Sequence, residues 1–401
     1  MSPTLAERER AVLWHTYARA PREFTRGEGV RLWDAEGREH LDFLGGIATV
    51  AAGHANPHVV AAVTAQLGRL GHTSNLYFTG PQVELAERLV GHLAAPDGAA
   101  VFFGNSGAEA NEAATKVARR WGRARRGEEA IGIVAADGSF HGRTLATLAA
   151  TGKPALHPTF APLPPGFSHV PYGDLGALEA AIGPGTAAVL LEPIQGEAGI
   201  QVPPPGYLRG ARALTRAAGV LLIMDEVQGG MGRTGTFFAH QHELTGPDRP
   251  DVVTMAKALG NGYPIGACVA VSEVAAAMRP GDHGSTFGGG PVACAAAMAT
   301  LDVIEPLLPA HVEAMGERLA AGLAKLGVGE VRGRGLWLAL ELGPDGDARA
   351  VAGAALDHGL VVNPVTATAL RLAPPLTVTA AEIDEAVSRL DAAISAGGST
   401  P

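Results

Sequence analysis

The stretch VLLIMDEV, residues 220–227, is an apolar run that ends in the carboxylates Asp225 and Glu226. The stretch DVVTMAKALG, residues 251–260, has the same design, with Lys257 after the apolar residues. Continuous apolar runs of this length are typical of strands buried on both faces of a parallel sheet. Because ligands bind at the carboxyl ends of such strands, Asp225 and Lys257 are the first candidates for a functional site.

Four more runs of this kind alternate with helical patterns along the chain. They are AAVFF (99–103), IGIVAA (131–136), AAVLLEP (187–193) and GACVAVS (266–272). Helices are predicted between them over residues 107–121 and 207–218, the second ended by Gly219. This alternation predicts an α/β fold with a mostly parallel sheet.

The pattern changes after Pro291. An Ala-rich helix is followed by a helix over residues 312–326, by the short strands GRGLWLALEL and LVVNPV, and by a last helix over residues 380–394. A smaller α+β domain is expected here, completed by the N-terminal segment. The predicted units are an N-terminal segment that contributes to the small domain, a large domain and a C-terminal small domain, spanning residues 1–50, 51–290 and 291–401.

The composition is that of a folded chain with an acidic balance. Of the 401 residues, 47% are hydrophobic and 18% charged, and 31 Lys and Arg against 40 Asp and Glu give a net charge of −9. This length allows two or more domains. The negative charge argues against a nucleic-acid or anionic-membrane partner, so small anionic substrates would need individual Arg or Lys residues.

Two features of the sequence predict a cytoplasmic location. The only cysteines, Cys268 and Cys294, lie in apolar surroundings that suit core positions better than a disulfide or a metal pair. The N-terminal stretch MSPTLAERERAVLW carries charges where a signal peptide needs an apolar run, and no segment approaches the roughly 18 apolar residues of a membrane span. The cysteine usage fits a reducing compartment.

A Gly-containing loop, GNSGAEANEA (104–113), follows the AAVFF run and opens a helix. The N–H groups and the dipole at the start of a helix are suited to a phosphate. Ser106 and Glu109 also have the spacing of a capping box, and the two interpretations are compatible.

The charged residues that follow the apolar runs, Asp225 and Lys257, suggest a site that can form a Schiff base. A carboxylate at Asp225 is costly to bury unless it pairs with a cation or a protonated ring nitrogen. A partly desolvated amine at Lys257 has a lowered pKa and can form a Schiff base. The alternative for each is a surface position at a strand end, and their joint placement favours the chemistry.

Residues 230–235, GMGRTG, match the dinucleotide-binding pattern G-x-G-x-x-G but not its context. Several residues separate them from the preceding apolar run, TFFAHQH follows instead of a small-residue helix, and the acids Asp248 and Asp251 lie in a Pro-containing loop. A nicotinamide-dependent oxidoreductase is therefore disfavoured.

Arg143 in FHGR and Arg371 in LRLAP are candidate clamps for carboxylates, because a guanidinium binds a carboxylate through two hydrogen bonds. A structural salt bridge is the alternative for each. A second basic group is interpreted as the solvated end of a helix and consists of Arg119, Arg120, Arg123, Arg125 and Arg126. Local hydrogen bonds are expected for His54, His72 and His141, and no His or Cys spacing predicts a metal site.

Eight motifs follow one another along the chain. They are GHTSN (71–75), NSGAEANEAA (105–114), FHGRTLA (140–146), EPIQGE (192–197), DEVQGGMGRTG (225–235), KALGNGYPIGA (257–267), HGSTFGGGP (283–291) and LRLAPP (370–375). In these motifs the chain resembles the class III pyridoxal-phosphate aminotransferases, from about Tyr17 to the C-terminus. Within that family it is most similar to the branch that acts on acetylornithine.

The resemblance implies a fold-type I transferase: an α/β large domain with a mainly parallel seven-stranded sheet, a smaller α+β domain, and a homodimer with active sites at the subunit interface. Lys257 would hold pyridoxal 5′-phosphate as a Schiff base and then move a proton, while Asp225 would pair with the pyridine nitrogen. The other implied cofactor ligands are Ser106, Gly107 and Ala108 at the phosphate, Phe140 against the ring, Val227, Gln228 at the ring hydroxyl, and Thr286 of the partner subunit. Ala108 stands where Thr is more usual in the family, but its backbone N–H is retained.

The resemblance also implies substrates. The terminal amino group of N-acetylornithine would pass to 2-oxoglutarate in a ping-pong reaction of arginine biosynthesis, giving N-acetylglutamate 5-semialdehyde and glutamate. Arg143 would bind the α-carboxylate of acetylornithine or the distal carboxylate of glutamate, and Arg371 the α-carboxylate of glutamate or 2-oxoglutarate. Glu197 would neutralise Arg371 in the first half-reaction and swing away when the dicarboxylate arrives. The remaining implied substrate residues are Ser285, Tyr17 and Ile47.

Other reactions share most of these residues. Ile47 argues against free ornithine, since the ornithine enzymes carry an aromatic hydroxyl there, yet a broader ω-amino-acid activity on ornithine, 4-aminobutyrate or succinylornithine stays open. A pyridoxal-phosphate mutase or decarboxylase would need Lys257 and Asp225 but not both Arg143 and Arg371. A non-catalytic cofactor-binding protein is a further alternative.

Overall fold

The computed structural model describes residues 4–95 and 97–397. The strands in this part of the chain are β1 (Phe24–Glu28), β2 (Arg31–Asp34), β3 (Glu39–Asp42), β4 (Ala99–Gly104), β5 (Gly132–Ala136), β6 (Phe167–Val170), β7 (Thr186–Leu191), β8 (Leu221–Asp225), β9 (Val252–Met255), β10 (Gly266–Val271), β11 (Glu330–Arg334), β12 (Trp337–Glu341), β13 (Leu360–Val361), β14 (Asn363–Pro364) and β15 (Ala369–Leu372). The helices are α1 (Leu5–Val12), α2 (Gly45–Ala48), α3 (Pro57–Leu67), α4 (Gly80–Leu93), α5 (Gly107–Arg126), α6 (Leu145–Ala150), α7 (Leu175–Ala181), α8 (Tyr207–Ala218), α9 (Ser272–Ala275), α10 (Pro291–Ile304), α11 (Ala310–Lys325), α12 (Ala348–Asp357) and α13 (Ala380–Gly397), joined in places by short 3₁₀ turns.

The central sheet of the described residues has seven strands in the order β4-β10-β9-β8-β7-β5-β6. Strands β5 to β9 pair in parallel, whereas β10 is antiparallel to both β4 and β9. This confirms the α/β fold with a mainly parallel seven-stranded sheet. Each of the six apolar runs forms one strand, and the missed strand, β6, has the short and half-polar sequence FSHV at the sheet edge.

Helices cover the sheet on both faces, and for this reason its central strands are mostly apolar. Every residue of β7, β8 and β10 is buried. The predicted helix over residues 107–121 continues to Arg126. Helix α8 ends as predicted at Gly219, whose φ of 61° lies in the left-handed region that glycine adopts without steric cost.

The two ends of the chain meet in a second sheet. Its order is β1-β2-β3-β13, so that a strand of the C-terminal region pairs in parallel with one of the N-terminal region. A third sheet, β11-β12-β15-β14, lies in the C-terminal region. Strand β15 and helix α12 were not predicted from the sequence. The domain limits stay a prediction, and residues 1–3, 96 and 398–401 of the predicted units lie outside the described residues.

The basic group at the end of α5 is only partly solvated, so the interpretation was wrong for two of its members. The Arg126 side chain donates to the carbonyl oxygens of Thr186 and Gly219, both at 3.0 Å. Arg119 Nε donates to the carbonyl of Ile131 at 3.2 Å. These carbonyls lie at element ends, where the backbone needs partners from outside the element.

Cys268 and Cys294 are both buried and unbridged, in agreement with the prediction of core positions. Burial raises the pKa of each thiol to about 12.

Within residues 4–95 and 97–397, no single helix has the length and apolar character needed to cross a membrane. The bent pair Pro291–Leu307 and Ala310–Lys325 meets those criteria jointly, with an angle of 71° between the two helices.

Candidate active site

A cavity of about 400 Å³ lies at the carboxyl ends of the central strands. Loops that follow β4, β5, β7, β8 and β9 reach it, because parallel strands end at the same edge of a sheet. Its wall includes predicted site residues from all of these loops: Ser106, Gly107, Ala108, Phe140, Arg143, Glu197, Asp225, Val227, Gln228 and Lys257.

Lys257 opens a 3₁₀ turn directly after β9. Its backbone has a φ of 44°, a left-handed conformation that is uncommon for a residue with a side chain and that clusters at functional sites. Burial lowers the pKa of the Lys257 amine to about 8, although the nearby carboxylates of Glu197 and Asp225 act in the opposite direction. A larger share of this amine is therefore neutral and nucleophilic near pH 7 than for an ordinary lysine.

Asp225 ends β8 and is only 4% exposed. Its Oδ2 accepts hydrogen bonds from Asn111 Nδ2 at 2.7 Å and from His141 Nδ1 at 2.8 Å, and its Oδ1 accepts one from the Val227 N–H at 3.0 Å. Asn111 is itself oriented by Thr254, whose hydroxyl donates to Asn111 Oδ1 at 2.7 Å. The carboxylate is thus held in one orientation at the cavity wall.

The contact between His141 and Asp225 corrects the expectation of a local hydrogen bond for this histidine, because the two residues are 84 positions apart. His54 Nε2 is hydrogen-bonded to the carboxylate of Asp42, 12 residues away, and His72 Nε2 accepts the N–H of Ser74, two residues away. His141 and Asn111 were not predicted to belong to the site. The position of His141 beside Phe140 was the available signal.

The loop after β4 caps α5 much as predicted. The Glu109 N–H donates to Ser106 Oγ at 3.1 Å. The return bond is shifted by one residue, since the Asn105 N–H, and not that of Ser106, donates to Glu109 Oε2 at 2.8 Å. The Ser106 hydroxyl also donates to Glu109 Oε2, at 3.1 Å, so it must give up this bond to serve an anion.

The start of α5 offers backbone donors to the cavity. The Ala110 N–H bonds to the Ser106 carbonyl at 3.1 Å, so that the N–H groups of Gly107 and Ala108 precede the hydrogen-bonded part of the helix. A Cβ on Gly107 would lie 2.7 Å from Val227 Cγ1, so only glycine fits here. Such a helix start is a site for an anion.

Glu192, the first residue of EPIQGE, links two parts of the wall. Its carboxylate accepts the N–H of Phe140 at 2.8 Å and the N–H of Gly196 at 3.2 Å. Burial, assisted by the charge of Asp225, raises the pKa of Glu192 to about 7. The sequence analysis missed this residue, although its position at the end of an apolar strand was the same signal that singled out Asp225.

Arg143 and Arg371 have different surroundings. Arg143 is exposed on the cavity wall, with its guanidinium carbon 5.5 Å from the centre of the Phe140 ring, and it forms no ion pair within the described part of the chain. Arg371 is 2% exposed, and its Nη1 donates to Glu197 Oε1 at 2.6 Å and to Gln228 Oε1 at 2.9 Å. Burial alone would raise the pKa of Glu197, but the Arg371 guanidinium outweighs it and lowers that pKa.

Five predicted residues are not part of the wall of this cavity in the described structure: Arg371, which lies behind Glu197 and Gln228 of the wall, and Tyr17, Ile47, Thr286 and Ser285. Tyr17 is 74% exposed, Ile47 is 40% exposed in a left-handed turn with a φ of 61°, and Thr286 is exposed. Ser285 Oγ accepts a hydrogen bond from Asn105 Nδ2 at 3.2 Å, beside the α5 loop. Their roles stay predictions.

Comparison with known proteins gives consistent results. The family model described as aminotransferase class-III matches residues 15–394. An acetylornithine aminotransferase of Mycolicibacterium smegmatis is 50% identical over 395 residues, which cover 98% of this chain and 98% of that one.

Solved structures superpose along almost the whole chain. An acetylornithine aminotransferase from Elizabethkingia anophelis has a TM-score of 0.85 and 34% identity, over 98% of both chains. An ornithine aminotransferase from Toxoplasma gondii has a TM-score of 0.92 and 33% identity, over 98% of this chain and 95% of that one. The latter structure is described as having pyridoxal phosphate at partial occupancy in its active site.

Proposed function

Because this chain belongs to the class-III aminotransferases, we propose that it transfers the terminal amino group of N-acetylornithine to 2-oxoglutarate, with N-acetylglutamate 5-semialdehyde and glutamate as products. The observation that carries the proposal is a pair of arginines suited to carboxylates: Arg143 lines the cavity, and Arg371 bonds to Glu197 of the cavity wall. Within the described residues, Arg371 forms an ion pair and Arg143 does not. The relative at 50% identity supports acetylornithine as the amino donor.

Class-III aminotransferases use pyridoxal 5′-phosphate, and the residues at the cavity fit this cofactor. The start of α5 and the bare backbone of Gly107 suit its phosphate, and the buried carboxylate of Asp225 suits its ring nitrogen. The Lys257 amine is suited to hold it, since burial lowers its pKa to about 8. When bound, the cofactor supplies an electron sink for the carbon that loses its proton.

Three residues of the cavity wall are proposed to have separate roles in the reaction. Asp225, held by Asn111 and His141, would stabilise a positive charge on the ring nitrogen. Lys257 Nζ, freed when the substrate amine takes its place, would take the proton from the substrate carbon that bears the nitrogen and deliver it to the cofactor; a pKa near the working pH favours both transfers. Phe140, tethered through its N–H to Glu192, would cover one face of the ring.

The two arginines allow one cavity to take two kinds of substrate. Arg143 is proposed to bind the α-carboxylate of acetylornithine or the distal carboxylate of glutamate. Arg371 is proposed to bind the second carboxylate of the dicarboxylate substrates. While acetylornithine is bound, Glu197 neutralises Arg371, which avoids the cost of an unpaired buried charge.

Replacing Glu197 by Gln tests this arrangement. Arg371 would keep a hydrogen-bond acceptor but lose its counter-charge, so we expect the specificity constant for acetylornithine to fall about 10-fold relative to that for glutamate. The two half-reactions, measured separately by rapid mixing, give the ratio. Equal kinetics of wild type and Glu197→Gln with both substrates would contradict the switch.

The donor is identified by single-turnover spectra of the enzyme loaded with pyridoxal phosphate. Acetylornithine, ornithine and 4-aminobutyrate are mixed with it in separate experiments, and the spectral conversion of the bound cofactor is followed. We expect acetylornithine to react fastest. Faster conversion by ornithine or 4-aminobutyrate would instead establish a broader ω-amino-acid activity, which is the second candidate because an ornithine aminotransferase superposes on this chain with a TM-score of 0.92, against 0.85 for the acetylornithine aminotransferase.

We further propose a homodimer, supported by an apolar surface next to Thr286. The loops at residues 72–78 and 285–288 are joined by the hydrogen bond from Asn75 Nδ2 to the Ser285 carbonyl, at 2.7 Å. Together they expose Phe78 completely and Phe287 to 66%. Large exposed apolar groups of this kind mark interaction surfaces.

A cytoplasmic location is proposed as well. Its support is the pair of unbridged, buried cysteines, which is typical of proteins from a reducing compartment.

A further inference from the structure

We propose that the neutrality of Asn363 permits Arg371 to bind the dicarboxylate substrate, because its amide accepts a hydrogen bond from the guanidinium without neutralising it. The proposal rests on the function proposed above, in which Arg371 binds a substrate carboxylate. It assigns a role to a residue of the LVVNPV strand that no motif of the sequence singled out.

Asn363 is held opposite Arg371 by the sheet. It lies on β14, which pairs antiparallel with β15, and in that register Asn363 is the direct cross-strand partner of Arg371. Asn363 Oδ1 accepts a hydrogen bond from Arg371 Nη2 at 2.7 Å. The backbone pairing thus holds the two residues opposite each other.

The other end of the guanidinium has a different set of partners. Arg371 Nη1 donates to Glu197 Oε1 at 2.6 Å and to Gln228 Oε1 at 2.9 Å. Of the three side chains that accept from Arg371, two are neutral amides and one is a carboxylate. In the described part of the chain, Glu197 is the one residue that forms an ion pair with Arg371.

The charged partner is also the one that can leave. Glu197 lies in the turn after β7, it lines the cavity, and its side chain is 27% exposed, whereas Asn363 belongs to a strand. An incoming carboxylate can therefore replace Glu197 on Nη1 while the neutral Asn363 stays on Nη2. This exchange replaces one charge-assisted hydrogen bond with another, so the buried Arg371 is not left without a counter-charge.

A fixed carboxylate at position 363 would remove this selectivity. It would neutralise Arg371 permanently from the strand side and repel a second carboxylate at the same guanidinium. Asn363→Asp, which keeps the size and the acceptor oxygen of the side chain, is therefore the decisive variant. Asn363→Ala removes the acceptor without adding charge.

The experiment uses the pyridoxal-phosphate-loaded enzyme. Binding of glutarate, an unreactive dicarboxylate, is measured by calorimetry, and the half-reactions with glutamate and N-acetylornithine are measured by rapid mixing. Thr366→Asp is the charge control. It places the same negative charge on the neighbouring turn, where the Thr366 hydroxyl accepts the Ala369 N–H at 2.9 Å and an Asp carboxylate can do the same.

We expect Asn363→Asp to weaken glutarate binding about 10- to 100-fold and to lower the ratio of the glutamate to the acetylornithine specificity constant by a similar factor. Asn363→Ala and Thr366→Asp should each change the same quantities by less than about 5-fold, because neither places a charge on Arg371. In the double variant Glu197→Gln/Asn363→Asp, glutarate binding should stay weak, although Glu197→Gln alone does not weaken it.

Three results would overturn the assignment: equal glutarate affinity in Asn363→Asp and wild type, equal losses in Asn363→Asp and Asn363→Ala, or an equal loss in Thr366→Asp. A failure of the proposed function is distinguishable from these, since the wild-type enzyme itself would then fail to react with glutamate. Melting temperatures of the variants separate a loss of binding from a loss of fold.

Discussion

Replacing Lys257 by Ala is expected to lower the rate of amino transfer at least about 10⁴-fold. The substitution removes both the nucleophile that holds the cofactor and the base that moves the substrate proton, and no other lysine lines the cavity in the described residues. Turnover with acetylornithine and 2-oxoglutarate measures the loss. Borohydride reduction followed by peptide mass spectrometry shows whether pyridoxal phosphate is attached at this position.

The control for this variant is Lys325→Ala, which removes an exposed lysine at the end of α11. It should leave turnover unchanged and the mass of the reduced peptide at Lys257 unaltered. A Lys257→Ala protein that still yields a reduced adduct and turns over within about 100-fold of wild type would show that another amine does this work.

Replacing Asp225 by Asn is expected to lower turnover about 10³-fold. The change is nearly isosteric, but a neutral amide no longer stabilises a proton on the ring nitrogen of the cofactor. It also presents an N–H to a pocket whose other members, Asn111 and His141, already donate to this position. The deficit should therefore be in the turnover number more than in the affinity for either substrate.

Asp248→Asn is the matched control, since Asp248 makes an exposed ion pair with Arg216, 2.7 Å away. Exposed pairs contribute little to stability, so this variant should behave as wild type. If Asp225→Asn kept its turnover within about 10-fold of wild type while remaining folded, the carboxylate would not be the partner of the ring nitrogen.

The sheet was predictable because each of its central strands is a short apolar run with a polar residue at its end. The same signal led from the sequence to Asp225 and Lys257, which the structure places on one cavity wall. The exception, β6, carries a serine and a histidine among its four residues. In so short an edge strand the spacing of apolar residues does not differ from that of a loop.

The residues that orient the site were harder to predict. Asn111 lies in the second turn of α5, and its contact with Asp225 depends on how that helix crosses the sheet. Asn363 faces Arg371 only through the register of a two-residue strand, β14. Neither relation is encoded in a local pattern, because both join segments more than seven residues apart whose relative position is set by packing.

The single antiparallel strand has a consequence for the order in which the protein assembles during synthesis. In the central sheet of the described residues β4 pairs with β10 alone, so β4 cannot join the rest of the sheet until residue 271 has been synthesised. Strands β5 to β9 can pair earlier, as their chain emerges. A nascent chain that stops before β10 would have Lys257 and Asp225 in a partial sheet without β4, so we infer that the β4 side of the loop that carries Ser106 is fixed only after β10 has been synthesised.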